Sequence, residues 1–158
     1  MEDRAFSITE IGSCSSERTD PVALVIGPTS VGLSPAWAEE DEDGLRAFCC
    51  GHLNNRIAAI LIPSRRGPSA GTGLTVSTGG SLNGPLGLAV APNGHILVVN
   101  GNAGFITEIT PRGKQLAKVF LDNTGTPPGS GTLFGVTFDP QRGVLYVDDG
   151  SNTLNSLN

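Results

Sequence analysis

Short apolar runs in this chain alternate with Gly, Pro, Asn and Asp, a pattern that predicts β-strands joined by tight turns rather than helices. The clearest example is residues 85–109, PLGLAVAPNGHILVVNGNAGFITEI, and a second copy follows at residues 133–157, LFGVTFDPQRGVLYVDDGSNTLNSL. Gly87 maps onto Gly135, and the strand after Gly94 maps onto the strand after Gly143, a spacing of 48 to 49 residues. A fixed period of that length marks an array of stacked supersecondary units.

The middle copy predicts four strands, at residues 86–91, 95–100, 105–110 and 114–121. The turns at 92–94 and 111–113 carry Pro and Gly, which fix and free φ respectively. Leu86, Leu88 and Val90 alternate, so one face of the first strand should pack on a neighbouring unit. The last copy ends after its third strand.

An earlier copy starts at Pro21, where PVALVIGP parallels PLGLAVAP, and its later part, residues 53–60, precedes residues 102–109 by 49 positions. Between these parts, residues 35–52 read as a disrupted insertion. Where a strand like 144–148 is expected stand five carboxylates, Glu39 to Asp43, and then Cys49 and Cys50. Such a charge run repels itself and reads as a solvated loop. Residues 6–11 alternate apolar and polar and predict one further strand, and Leu74 to Ser77 predict a short strand within the Gly-rich linker 67–84.

The expected architecture is therefore all-β, a partial β-propeller of about three blades at residues 21–82, 83–131 and 132–158, behind an irregular segment at 1–20. Propellers close with about four to eight blades, so three imply either assembly with further copies or part of a longer protein. The unpaired strand edges this leaves invite self-association. Composition agrees: 22 Gly and 11 Pro with 5% aromatic residues suit many short strands and argue against helical bundles.

Charge narrows the partners. A net charge of −5 gives no electrostatic footprint for nucleic acid or an anionic membrane, and Arg65-Arg66 reads as a solvated turn. No run reaches the roughly 18 apolar residues of a membrane span. The N-terminus lacks the apolar core of a signal peptide, which predicts a cytoplasmic protein as written, or a periplasmic or secreted one if the N-terminus is truncated. An unknown protein or a small molecule remains the expected partner.

Cys14, Cys49 and Cys50 make an odd set with no paired spacing, so they read as free thiols rather than a disulfide framework or, with His52, a zinc site. No Gly-x-Ser-x-Gly or phosphate-loop motif is present, and His95 reads as an exposed strand residue.

The pattern carried by Pro85, Gly87, Leu88, Gly94, Val98, Asn100 and Ile106, and again by Gly135, Val136, Gly143, Tyr146, Val147, Asp148 and Asp149, resembles the NHL-repeat family of β-propellers. Residues 53–57, Leu-Asn-Asn-Arg-Ile, are similar to that family's Asn-x-Arg-Ile ending. The likeness runs from residue 21 to the end, and the chain looks like the C-terminal part of longer bacterial NHL-like proteins. The basic residue usual after the Asn is absent from the later copies. The resemblance implies a non-catalytic binding or protein-interaction module. Its alternative is a metal-dependent, lactonase-like hydrolase holding Ca²⁺ on inner-loop oxygens, for which Asn100, Asn102, Asp148, Asp149 and Asn152 are the candidate ligands. The same side chains also suit hairpin turns, where they bond local backbone.

Overall fold

A computed structural model describes residues 8–14, 27–35, 45–62 and 69–157. These contain eleven strands and, among the described residues, no helix: β1 (Pro28–Leu33), β2 (Arg46–Gly51), β3 (Arg56–Leu61), β4 (Leu74–Thr78), β5 (Pro85–Val90), β6 (Ile96–Asn100), β7 (Phe105–Ile109), β8 (Gln115–Phe120), β9 (Leu133–Asp139), β10 (Gly143–Asp148) and β11 (Thr153–Leu157). They form three antiparallel meanders in sequence order, β1-β2-β3-β4, β5-β6-β7-β8 and β9-β10-β11. The chain is a partial β-propeller, and each meander is one blade.

The middle blade follows its sequence pattern closely because its alternation is clean. Leu88, Ile96, Val98 and Ile109 face the first blade, where they meet Phe48, Cys50, Ile57 and Ala59. Val99 and Ile106 face the third, against Leu133, Val136, Val144, Tyr146 and Leu157. Ile96, Val98 and Val99 are fully buried, and each such side chain contributes about 2 kcal/mol of hydrophobic stabilisation. Blades thus pack face to face, and the first strand of each lies on the first strand of the next. Gly32 makes this possible between blades one and two: a Cβ there would stand 2.6 Å from Leu88 Cδ2. Gly87 has the same role between blades two and three, with the Phe134 carbonyl pressed against it.

The first blade corrects the sequence expectation in three respects. Its first strand among the described residues is β1; residues 21–26, where the copy is matched, lie outside the described residues. The block 35–52, read as a disrupted insertion, contains a regular blade strand, β2, paired with β1 and β3. Five of its six residues are buried. Burial on both faces removes the apolar and polar alternation by which a half-exposed strand is recognised. The acidic run 39–43 and Arg65-Arg66 lie outside the described residues.

The cysteines are the second correction. Alternation along β2 sends Cys50 into the interface with blade two and Cys49 to the opposite face. There Cys14 is disulfide-bonded to Cys49 across 35 residues of sequence, and only Cys50 is a free thiol. Burial pushes that thiol up to about 12.

The third correction concerns the N-terminal strand. Residues 6 and 7 lie outside the described residues, and Ile8 to Ile11 form no strand. Residues 11–14 instead run over the outer face of blade one, covering Ala47, Cys49, Ala58 and Ile60. Backbone bonds from Ala70 N to Ile11 O (2.9 Å) and from Ser13 N to Gly71 O (2.7 Å) hold them there. Arg56 clamps the segment, donating from Nη1 to the Cys14 and Thr72 carbonyls and from Nη2 to that of Gly73.

Candidate functional site

In a four-stranded meander, the turn between the second and third strands and the connection to the next blade fall at the same end. One face of the molecule therefore gathers residues 52–55, 101–104 and 149–152 with the connections 79–84 and 121–132. Backbone bonds join them: Gly101 N to Gly84 O (2.7 Å), Gly131 N to Gly101 O (2.7 Å) and Asp149 N to Thr132 O (2.7 Å). All five candidate ligands lie at this end, in two separate turns.

The first turn centres on Asn100, which is fully buried. Its Oδ1 accepts the Asn83 N–H at 2.7 Å, and its Nδ2 donates to the Phe105 carbonyl and to Thr107 Oγ1. Thr107 Oγ1 in turn donates to the Ser81 carbonyl. The carboxamide is occupied in bracing the strand end against the connection, as buried polar groups require. Asn102 is exposed, and its carboxamide lies with the His52 ring over Gly84, whose positive φ of 63° and missing Cβ leave room for both. Asn55 Oδ1 accepts the Gly84 N–H at 2.6 Å from a left-handed turn position. His52 Nδ1 is buried and lacks a hydrogen-bond partner among the described residues.

The second turn centres on Asp148, which is buried and accepts the Ser151 N–H on Oδ1 at 3.2 Å. Beside it stands Asp122, also buried, from the connection after β8. The Thr124 hydroxyl and N–H bonding to Asp122, the latter at 2.6 Å, hold its carboxyl below the usual carboxylate range; the hydrogen-bonded Asp148 side chain adds to this and burial opposes it. Burial first, then the charges of Asp148 and Asp122, raise the Tyr146 phenol. Asp149 and Asn152 are exposed, and Asn152 takes a left-handed φ of 54° that closes the turn. With Asp148 they line a shallow depression of about 210 Å³, walled by Val147, Thr153 and Leu154.

Ca²⁺ takes about six to eight oxygen ligands from a converging shell. The five candidates do not fit it: they divide between two turns, Asn100 is committed to three internal bonds, and Asn152 is a turn former. Among the described residues no three His, Cys, Asp or Glu side chains converge on a point. His95 lies at the opposite end of the sheets and is half-buried rather than exposed, its Nδ1 2.6 Å from Glu108 Oε1. Sequence reasoning missed Asn55 and Asp122. Asn55 occupies the turn position that Asn152 occupies in the third blade, which is a readable signal; Asp122 sits in a Gly- and Pro-rich linker that offers none.

No protein-family model and no curated protein matches the chain. Solved structures do. A calcium-binding protein, regucalcin, from Agrobacterium tumefaciens superposes with a TM-score of 0.56 at 18% identity, over 75% of this chain and 37% of that one. A catalytically inactive virginiamycin B lyase from Staphylococcus aureus, bound to quinupristin, superposes with a TM-score of 0.53 at 17% identity, over 84% of this chain and 41% of that one. These likenesses establish the propeller fold, and the matched parts span less than half of either structure.

Proposed function

We propose that this chain is a non-catalytic binding module of NHL-like type, part of a larger propeller ring, and that it presents the turn face at 52–55, 101–104 and 149–152 to a protein or small-molecule partner. Asn100 carries the reading. It is the candidate ligand most deeply placed, and its functional groups are used to rigidify the turn. That is the arrangement of a scaffold whose loops are held for recognition. The acidic Asp122, Asp148 and Asp149 favour a neutral or basic partner over nucleic acid or an anionic membrane. The Cys14–Cys49 disulfide supports the periplasmic or secreted location among the two the sequence allows, since such bonds persist in oxidising compartments.

Calorimetric titration with Ca²⁺, paired with a lactone-hydrolysis assay, tests the reading. No binding heat at millimolar cation and no turnover are expected. Tight Ca²⁺ binding abolished by Asp148→Ala, together with hydrolysis, would overturn it in favour of the lactonase-like enzyme.

A further inference from the structure

The segment that covers blade one is held by polar bonds and a disulfide rather than by apolar burial. Ile8 is 99% exposed and Ile11 41%, so the segment buries little of its own apolar surface. Its contact with Ile60 is made by Gly12, where a Cβ would stand 2.6 Å from Ile60 Cδ1. The non-covalent hold consists of the two backbone bonds at Ala70 N and Ser13 N, the Ser69 hydroxyl donating to Glu10 Oε1 at 2.9 Å, and the Arg56 bond to the Cys14 carbonyl. Bonds of this exposed kind exchange readily with bonds to water. The Cys14–Cys49 disulfide is the covalent link.

Beneath the segment the sheet is apolar. Ala47, Ala58 and Ile60 are at most 4% exposed. In register with Ala47 and Cys49 on the same face stand Leu33 and Val31, which are 54% and 65% exposed. Removing the segment therefore extends an apolar strip from β1 across β2 and β3. It does not loosen the blades. The junction with blade two lies on the other face, at Phe48, Cys50, Ile57 and Ala59. Arg56 also keeps its bonds to the Thr72 and Gly73 carbonyls and to Thr75 Oγ1.

We propose that the Cys14–Cys49 bond is a redox-sensitive latch. With the bond formed, residues 11–14 cover the outer face of blade one; reduction by a dithiol releases them and uncovers Ala47, Ala58 and Ile60. The chemistry is thiol–disulfide exchange. Cys49 is 1% exposed and Cys14 half-buried, so the attacking thiolate of the dithiol meets Cys14 Sγ. A mixed disulfide forms there, the Cys14–Cys49 bond breaks, and Cys49 Sγ leaves and takes a proton. The second thiol of the reductant then displaces Cys14, leaving two cysteine thiols and the reductant as a disulfide. Cys50 takes no part, because it faces the blade junction and is fully buried. An oxidising compartment keeps the latch closed, and encounter with a dithiol opens it. The inference is independent of what the turn face binds.

Amide exchange and binding of the apolar dye anilinonaphthalene sulfonate, measured on the folded 158-residue chain before and after dithiothreitol, test it. Dithiothreitol should liberate two thiols and leave Cys50 silent. The Ser13 and Ala70 amides should then lose their protection and dye fluorescence should rise severalfold. The Ile96 to Asn100 amides and the β-sheet circular dichroism should stay as they were. Cys14→Ser should show the same pattern with no reductant present, and re-oxidation of the wild type should reverse it. Reduced protein that keeps Ser13 and Ala70 protected, or gains no dye, overturns the proposal, because the segment then covers the face without the bond. So does a loss of protection that reaches Ile96 to Asn100, the signature of a disulfide that supports the whole fold. A bond that dithiothreitol cannot reach in the folded protein overturns it as well.

Discussion

Asn100 and Thr107 meet on adjacent strands of the middle blade, Nδ2 donating to Oγ1 at 3.2 Å, with both side chains fully buried. The pair ties the end of β6 to β7 and, through Ser81 and Asn83, to the connection from the first blade. Removing the carboxamide strands the Asn83 N–H and the Phe105 carbonyl, at about 1–3 kcal/mol for each buried group left unpaired. Asn100→Ala is expected to lower stability by about 3 kcal/mol in denaturant unfolding. Asn102→Ala, at an exposed position of the same turn, should stay within about 0.5 kcal/mol of wild type.

Thiol titration should separate the three cysteines. Cys50 is fully buried and its thiol is pushed up to about 12, so the folded, unreduced protein should not react with an alkylating reagent at neutral pH. One thiol should react after denaturation, and three after denaturation with reduction. Two reactive thiols in the native protein would contradict the Cys14–Cys49 bond.

Cys14→Ser opens the covalent loop without placing a new polar group in the sheet. A loop of this length corresponds to about 3–4 kcal/mol of constraint on the unfolded chain. The expected outcome is a lower denaturation midpoint, with retained β-sheet circular dichroism.

Gly104→Ala should be more damaging than its size suggests. The added Cβ would overlap the Asp122 carbonyl, and both Leu121 N and Asp122 N donate to the Gly104 carbonyl, so neither strand can move aside alone. Overpacking against backbone of this kind costs about 3 kcal/mol. Calorimetric melting should show it. An unchanged melting temperature would mean that the 121–132 connection yields.

Asp122 sets a pH dependence with a definite sign. Its carboxyl is held below the ordinary value by Thr124 first and by Asp148 last, so the ionised form is favoured in the folded state. The stability this supplies is complete above the unfolded carboxylate value and is lost as pH falls through the lower folded value. Asp122→Asn should flatten that acid limb in a series of denaturant midpoints, leaving neutral pH as the condition of largest difference from wild type.

How much of this the sequence carried depends on what each strand buries. β5 to β8 were legible to within a residue or two because each turn has its Gly or Pro and the apolar positions alternate. β2 was not, because Ala47 and Cys49 are buried on one face while Phe48 and Cys50 are buried on the other, and an acidic run precedes it. The disulfide was hidden by its 35-residue span, since only the fold brings Cys14 over β2. At the candidate site, Asn100 and Asp148 were identified as inner-end residues. Their partners were not, because Asn83, Thr107 and Asp122 reach them from other strands or connections.

The stacking of the blades also bears on cooperativity. Among the described residues the apolar packing between blades joins the first to the second and the second to the third, so folding free energy divides into single-blade terms and nearest-neighbour couplings, as in a one-dimensional array. The middle blade is coupled on both sides and the third on one, and the third leaves Val147 and Leu154 in solvent. Amide exchange should therefore be slowest at Ile96 to Asn100 and fastest along β11, with opening that enters from the C-terminal blade and reaches Asn100 last.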